Sequence, residues 1–558
     1  QERDMELIRE SPLGQLLRAI TGNRILLYPE EKPGFVPSSP DETRHQIESK
    51  QSLGGDSAIA PTATSYDGPY EENDANYIVD WYGPDDPSNP RNWSSWKKRF
   101  VTFQIWYTSP HILPRFSHSR SFYTFAIYCG SSIYVPAESQ IMEYFQVSQT
   151  KASLGLALYV LGYGLGPLLF SPLSEVPLYG RNIPYITSLT IFVVLCVPTA
   201  LVDNYAGLMV LRLLQGFFGS PCLASGGASM TDMYSDIYLP LGLTSWVAAA
   251  YGGPALGPLL SAFSVAEKGW RWAMWEILWM STPILVLMVI CLPETSADNI
   301  LLRRAGRLRR VTGNSKFLSR SEIAHNSQAF DKMLLDCLIK PAEIMMKDPA
   351  VLFANFYTSL VYGIYYSFFE AFPLVFPNKY GLDARDVSLI FISIIIGCAL
   401  AATVYIFYVY TRLMPDLKAK GQRAHEHRLG PALFASLGPP VGLLIFAWTA
   451  NGKIHWAVSA LGVVIYSGSV FIVFQCVVIY LPLAYPKYSA SLFAGNDTTR
   501  STVAFAFILF SRSMFIELGI DKGVTLLAGL SILGIIGMFI LYFYGANLRA
   551  RSSFAEQR

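Results

Sequence analysis

The stretch GPLLFSPLSEVPLYGR, residues 166–181, places a carboxylate and an arginine between two long apolar segments. The segment before it is ASLGLALYVLGYGLG and the one after it is IPYITSLTIFVVLCVPTALV. Each is about long enough to cross a bilayer, whose hydrocarbon core needs roughly 20 apolar residues per helix. We therefore expect two membrane-spanning helices joined by a short polar turn that contains Glu175, Pro177, Gly180 and Arg181.

The composition is that of a membrane protein with many spans. Of the 558 residues, 52% are apolar and 15% are charged, and the mean hydropathy is +0.32. The net charge is only +2, and no basic cluster is interleaved with aromatic residues, so we expect a lipid bilayer and no nucleic acid as a partner.

Sequence motifs for catalysis, nucleotide binding and metal binding do not occur. The chain has no HExxH motif, no comparable nucleophile–base spacing and no GxxxxGK[ST] loop, so we expect neither an enzyme nor an ATP-driven protein. The seven cysteines are dispersed without CxxC or Cys/His spacing. We expect no disulfide framework, no metal and no cofactor.

The apolar segments predict an all-α membrane protein with twelve transmembrane helices in two halves. In residues 97–292 the predicted spans are 100–137 (interrupted), 151–172, 183–202, 206–230, 239–263 and 272–292. In residues 349–545 they are 349–376, 386–410, 430–450, 456–482, 489–512 and 522–545. Residues 1–96 are predicted to be a cytoplasmic, largely disordered tail, 293–348 a cytoplasmic central loop, and 546–558 a second cytoplasmic tail.

Basic residues set the predicted orientation. Cytoplasmic loops of membrane proteins carry an excess of Lys and Arg, and the central loop contains a cluster of Arg303, Arg304, Arg307, Arg309 and Arg310. Twelve crossings then place both termini in the cytoplasm. Six spans, a basic loop and six more spans are typical of transporters built from two parallel halves.

The first predicted span is irregular. Residues 109–124, SPHILPRFSHSRSFYT, carry prolines, histidines and arginines that a spanning helix does not tolerate. Removing them would join FVTFQIWYT directly to FAIYCGSSIYVPAE, a run of span length. We interpret residues 109–124 as a retained intron or a gene-model error.

Several motifs resemble those of a known family. The opening link resembles motif A of the major facilitator superfamily, LRLLQGFFGSPCLASGGAS resembles its motif B, and GGPALGPLLSAF resembles motif C of its antiporters. With WYGPDDPSNPRNW, YYSFFEAFPLVF, EHRLGPAL and YSASLFAGNDTTRS, the chain resembles the fungal twelve-span drug:proton antiporters of the benomyl, azole and methotrexate resistance type from about Asp80 to Arg551. The resemblance implies a major facilitator fold of two six-helix bundles. It also implies a monomer in the plasma membrane that exports small hydrophobic molecules and uses the proton gradient as its energy source.

The motif A residues Glu175, Gly180 and Arg181 form a predicted cytoplasmic gate. Its charges are expected to pair with each other, or with charges at neighbouring helix ends, when that side is closed. A solvated turn with an orientation-setting arginine is the alternative. Motif C supplies a predicted hinge or seal, because glycines four residues apart allow close helix contact and prolines bend a helix. Its residues are Gly253, Pro254, Gly257 and Pro258.

Ionisable residues inside apolar spans are candidates for proton coupling, since a charge there is costly without a purpose. Arg212 is expected to tune the pKa of a carboxylate that carries the proton, with snorkelling to an interface as the alternative. The candidate carboxylates are Glu276, Glu370 and Asp497. Asp497 also lies three residues before Arg500, near the start of its span, and the alternative is that the two simply pair at a span end.

An aromatic pocket with one acid suits flat, hydrophobic and often cationic ligands. Such a pattern surrounds Glu370, and the predicted substrate-cavity residues are Gln215, Tyr362, Tyr365, Tyr366 and Phe369. Broad drug efflux and export of one endogenous secondary metabolite need the same pocket chemistry, so the sequence leaves both open. A transport-dead sensor or receptor is a third possibility that the interrupted first span allows.

Overall fold

The computed structural model describes residues 2–33, 77–105, 123–326, 343–421, 424–485 and 489–550. The polar stretch 38–65, which carries the prediction of disorder, lies outside these residues. So does most of the suspected insertion at 109–124. Its last two residues, Tyr123 and Thr124, are described and are buried at the start of a helix.

The N-terminal half is built from helices. It begins with α1 (Glu2–Glu10), α2 (Pro12–Ile20) and a 3-10 turn at Pro29–Glu31, followed by strand β1 (Tyr77–Val79) and a 3-10 turn at Pro90–Asn92. The helices that follow are α3 (Ser95–Ile105), α4 (Tyr123–Ser132), α5 (Glu138–Phe145), α6 (Gln149–Glu175), α7 (Asn182–Leu201), α8 (Tyr205–Gly219), α9 (Pro221–Met233), α10 (Leu239–Lys268) and α11 (Arg271–Cys291). A 3-10 turn at Val135–Ala137 links α4 to α5.

The central segment contains α12 (Ala297–Thr312), strand β2 (Phe317–Ser319) and α13 (Arg320–Asn326). Strand β2 pairs in parallel with β1. The C-terminal half contains α14 (Pro349–Tyr380), α15 (Ala384–Ile390), α16 (Ile392–Tyr408), α17 (Met414–Lys420), α18 (Gly430–Ala435), α19 (Gly438–Thr449), α20 (Trp456–Ala484), α21 (Ser489–Leu518) and α22 (Ile520–Ala550). A π-helical turn at Val409–Leu413 joins α16 to α17, and a 3-10 turn at His425–Leu429 precedes α18.

Ten helical segments in the described parts of the chain are long and apolar enough to cross a membrane. They coincide with ten of the twelve predicted spans, which fits the rule that backbone groups in lipid must be bonded within their own segment. Helix α10, at the fifth predicted span, is one continuous helix, but its Gly, Pro and Ser residues lower its hydropathy and it is not among the ten. The first predicted span is represented by α3 and α4, on either side of residues 106–122.

The two ends of the molecule can be distinguished by their contacts. Arg549, in the last turn of α22, bonds to Glu426 at 2.8 Å, and the nearby Arg428 donates to the main-chain oxygen of Asp236 after α9 at 3.2 Å. We call this end, which also holds α3 and α12, the termini side. The opposite end, with the links after α7, α10 and α19, is the far side. The halves meet mainly where α6 packs on α21 and α10 packs on α16.

The expectation of disorder does not hold for the described parts of residues 1–96. The segment from Glu2 to Ile20 forms two helices, because Pro12 begins a new helix and the Ser11 hydroxyl accepts the main-chain N–H of Gly14 at 3.2 Å. These helices contact α11, and Lys97 of α3 bonds to Glu10 at 2.7 Å.

Buried ion pairs join this tail to the central segment. Arg304 of α12 bonds to Asp86 at 2.7 Å with both side chains 2% exposed, and Arg307 bonds to Glu30 at 2.8 Å. The ring of Tyr28 lies 3.8 Å from the Arg307 guanidinium. The arginines that predict orientation therefore also hold the tail. We call α1, α2, residues 77–93 and α12 the tail assembly.

Replacement of Arg304 by alanine is expected to destabilise the protein by about 3–5 kcal/mol at neutral pH, because it leaves a buried carboxylate without its partner. Burial alone would raise the pKa of Asp86. The hydrogen bond and the charge of Arg304, together with hydrogen bonds from two main-chain N–H groups, hold this pKa below its ordinary value. The contribution of such a group is present at neutral pH and is lost as the pH falls through its lowered folded-state pKa.

Thermal unfolding of the purified protein across an acid pH series checks this. The gap in Tm between wild type and Arg304→Ala should narrow as the pH falls. Arg310→Ala, on the exposed face of the same helix, is the control and should match the wild type. Equal Tm values for the two variants at pH 7 would contradict the role given to Asp86.

Candidate functional site

The predicted gate arginine is paired with an acid near the end of a neighbouring helix, which is one of the two pairings that we expected. Arg181 Nε lies 3.2 Å from Asp232 Oδ2 near the end of α9, and its Nη1 donates to Ser174 Oγ at 2.9 Å. Glu175 is exposed at the end of α6 and forms no ion pair or hydrogen bond with the described residues. Of the two expected pairings, the structure thus has Arg181 with a charge at a neighbouring helix end and not with Glu175, because α9 and not the end of α6 presents its carboxylate to the guanidinium.

A second carboxylate organises the gate and was not singled out from the sequence. Glu294, which is buried just after α11, accepts the main-chain N–H of Arg181 at 2.9 Å and of Asn182 at 3.2 Å, where α7 begins. An anion is favoured at a helix N-terminus. Asn299 of α12 donates to the main-chain oxygen of Pro177 at 2.6 Å, so the central segment is fastened directly to the gate turn.

Gly180 is required at this turn for two reasons. Its φ is +66°, a conformation that L side chains rarely adopt, and a Cβ would lie 2.6 Å from Glu294 Oε2. The glycine of the predicted gate therefore makes room for the carboxylate that caps α7.

Arg212 is fully buried, but no carboxylate of the described residues bonds to it. Its Nη2 donates to the main-chain oxygens of Gly130 at 3.0 Å and Ser131 at 3.1 Å, and its Nε donates to that of Gly155 at 3.2 Å. The guanidinium also lies 4.3 Å from the ring centroid of Tyr159. The structure therefore does not give Arg212 the carboxylate partner that we expected. It holds the end of α4 against α6 and α8, because the last carbonyls of a helix lack helical partners.

Gln215 belongs with Arg212 and not with the predicted aromatic pocket. Its Oε1 accepts from Arg212 Nη1 at 3.4 Å and its Nε2 donates to Cys196 Sγ at 3.4 Å, within the N-terminal half. The predicted substrate-cavity residues are thus divided between two places.

The motif C glycines bring α10 into close contact with α4. A Cβ at Gly253 would lie 2.7 Å from Tyr128 Cβ, and one at Gly257 would lie 2.7 Å from the main-chain nitrogen of Ile133. Pro254 and Pro258 are buried within a helix that runs without a break from Leu239 to Lys268. Of the two predicted roles, hinge or seal, the observed packing favours the seal.

Tyrosines fill the interface between the halves. Tyr163 of α6 shares hydroxyl hydrogen bonds with Tyr362 at 2.8 Å and Tyr366 at 2.9 Å, and Tyr365 donates to the main-chain oxygen of Tyr251 in α10 at 2.7 Å. The four predicted aromatic residues of α14, Tyr362, Tyr365, Tyr366 and Phe369, are all buried, and their rings contact one another. These side chains are therefore brought together where the two halves meet.

An apolar groove of about 890 Å³ lies elsewhere, within the C-terminal half. It is lined by residues of α16, α18 and α20 and by Tyr542, and it includes Phe434, which is 81% exposed. An exposed apolar lining of this kind suits contact with lipid.

Asp497 and Arg500 form an ion pair in the tyrosine cluster, with side chains 3% and 1% exposed. Arg500 Nη2 also donates to the Tyr128 hydroxyl of α4 at 2.9 Å, and its guanidinium lies 4.4 Å from the Tyr362 ring centroid. Asp497 Oδ2 and Arg500 Nε and Nη1 are buried and have no hydrogen-bond partner among the described residues. Sequence reasoning found the i, i+3 pair but placed it at a span end, whereas it lies where the two halves meet.

The other candidate carboxylates lie apart from this pair. Glu370 is 2% exposed, and its Oε2 lies 3.6 Å from Arg512 Nη1 of α21, toward the far side. Glu276 of α11 is half-buried near Ser264 and Lys268 of α10, within the N-terminal half. Of the three predicted carboxylates, Glu370 and Asp497 lie at the interface and Glu276 does not.

A membrane transporter is the class of protein that this all-helical fold and its relatives define. The chain matches the model of the Major Facilitator Superfamily over residues 121–501. It is 41% identical to the MFS-type transporter pyvG of Aspergillus violaceofuscus, over 99% of both chains. It is 38% identical to Fluconazole resistance protein 1 of Saccharomyces cerevisiae, over 87% of this chain and 86% of the relative. The protein belongs to the major facilitator superfamily, as its motifs predicted, and its relatives include fungal drug-resistance transporters.

The fold is shared with solved transporters at low sequence identity. The structure of the proton:xylose symporter XylE superposes with a TM-score of 0.56 over 80% of this chain and 95% of that chain, at 12% identity. This likeness supports the fold and carries no argument about substrate.

The glycine contacts of α10 give a testable pair of variants. Gly257→Ala is expected to abolish or strongly reduce transport, because the added Cβ would collide with the backbone of α4. Gly252→Ala, five residues earlier in the same helix, meets no described residue within 4 Å and should behave as the wild type. Efflux from intact cells at matched membrane expression measures both. Equal activity of the two variants would show that the close α4–α10 contact is not needed.

The gate turn gives a second pair. Gly180→Ala and Gly313→Ala both place alanine at positive φ, which costs about 1–2 kcal/mol, but only the first meets a carboxylate. We expect Gly180→Ala to lower transport and Tm clearly more than Gly313→Ala does. Similar losses in both variants would assign the effect to backbone strain alone.

Proposed function

We propose that the protein is a proton-coupled antiporter that exports small hydrophobic organic molecules across the plasma membrane. Two six-helix bundles, twelve spans in all, alternate access to a site between them. The termini side faces the cytoplasm, because the arginine cluster of α12 lies there and basic segments stay inside. Export of drug-like compounds fits the fluconazole-resistance relative and the aromatic lining beside buried acids.

The observation that carries the proposal is the buried Asp497–Arg500 pair at the interface. A buried ion pair with unsatisfied polar atoms is expensive to maintain, and it is expected where its two protonation states serve different conformations. Ionised Asp497 holds Arg500, and Arg500 in turn bonds to Tyr128 of the other half.

Protonation changes this arrangement in a defined way. When Asp497 binds a proton, it no longer neutralises Arg500, and the guanidinium is left buried without a counter-charge. That state is costly with the interface closed and less costly when the halves part and admit water. Proton binding therefore favours separation of α4 from α21, and separation opens the tyrosine-lined space to substrate.

Efflux of a fluorescent lipophilic cation from vesicles tests the proposal. Wild-type protein should drive efflux only when a pH gradient is imposed, and a protonophore should abolish it. Asp497→Asn is expected to reduce gradient-driven efflux to the protonophore level, while exchange of the dye at equal concentrations on both sides persists.

The matched control is Glu517→Gln, which removes a carboxylate from an exposed position on the same helix. It should retain wild-type efflux. Efflux that continues after the gradient is collapsed would overturn proton coupling. No efflux from any form would favour the sensor alternative.

A further inference from the structure

A carboxylate outside the predicted set faces Glu370 from the other half. Glu138 begins α5 on the far side and is 6% exposed. Its Oε2 accepts from Gln149 Nε2 at 2.7 Å and from Ser153 Oγ at 3.0 Å, whereas its Oε1 is buried and has no partner in the part of the chain that the structure describes. The Ser153 hydroxyl also lies beside the Glu370 carboxylate.

The charges in this cluster do not balance if both acids are ionised. Arg512 Nη1 lies 3.6 Å from Glu370. Among the described residues of the surrounding helices, Arg512 is the one basic side chain whose charge acts on Glu138 and Glu370. Tyr134 faces Glu138 as a neutral phenol, and Lys151, on α6, is exposed. Two carboxylates that share a site cannot both ionise easily, so one of them keeps a proton.

We propose that Glu138 and Glu370 form a proton-binding latch that is complete only when the two halves meet on the far side, with one proton held between them. The latch rests on the alternating access of the proposed function. Glu138, Gln149 and Ser153 belong to the N-terminal half, and Glu370 and Arg512 belong to the C-terminal half.

Closure of the far side therefore takes up one proton from the water on that side. In the open state both carboxylates are hydrated and ionised at neutral pH. In the closed state the proton lies on Glu138, since Arg512 stabilises the ionised form of Glu370. Burial, and after it the negative charge of Glu370, raise the pKa of Glu138 well above its ordinary value.

Distance measurements between the halves test the latch. Spin labels at Glu267→Cys and Arg385→Cys, both exposed on the far side, report closure in full-length protein with Cys291 and Cys337 changed to serine. The ratio of closed to open molecules should rise by up to about tenfold for each unit that the pH falls, as expected for uptake of one proton.

Glu138→Gln mimics the protonated acid and should stay closed at all pH values tested. Glu143→Gln, an exposed neighbour on α5, should keep the wild-type response. A wild-type distance that does not change with pH, or the same response in both variants, would overturn the latch.

Infrared difference spectra give a readout that does not depend on transport. The carbonyl band of one protonated carboxyl group should be missing in Glu138→Gln and retained in Glu143→Gln. In Glu370→Gln this carbonyl band should titrate at a pH at least about one unit lower than in the wild type. A shift of that size is expected when two titrating groups are coupled. Normal gradient-driven efflux without this band would refute the latch alone, whereas the band without efflux would refute the antiporter alone.

Discussion

A charge enclosed between two apolar bundles needs a counter-charge close by, because the interior cannot hydrate it. In this protein the described ion pairs of the membrane region each lie within one half. Asp497 pairs with Arg500, and Glu370 pairs with Arg512, all in the C-terminal half. The N-terminal half meets them with neutral groups, among them the Tyr128 and Tyr163 hydroxyls. The halves can therefore separate by breaking hydrogen bonds to neutral groups, without pulling opposite charges apart.

Contacts within the N-terminal half are also more rigid than the contacts between the halves. Within the N-terminal half, glycines of α10 and the guanidinium of Arg212 fix α4 from two directions. At the gate, Glu294 ties the start of α7 to the segment after α11, and Asn299 adds α12. These contacts make the half and the tail assembly one body, so the interface lined by tyrosines is the natural plane of movement.

Sequence reasoning found what depends on single helices. Hydropathy predicted twelve spans, ten of which coincide with candidate spans in the described residues, and the rarity of intramembrane charge drew attention to Arg212, Glu370 and Asp497. It missed side-chain contacts that depend on how each helix is rotated and on which helix lies beside it. Asp232 as the partner of Arg181 and Glu138 as the neighbour of Glu370 come from distant positions that only packing brings together. For Glu294 a signal was present, an acid directly after a span, but nothing local showed that it would cap α7.

The clamping of α4 also bears on the irregular first span. Its position is set by Gly253, Gly257 and Arg212, all distant in sequence, and not by the chain that enters it. Alternative transcripts that differ between α3 and α4 would thus change the chain that leads into α4. Tyr128 and Ser131 would keep their positions against the C-terminal half. Splicing at this junction would therefore vary the sequence that precedes α4 without moving the contacts that Tyr128 and Ser131 make with Arg500 and Tyr366.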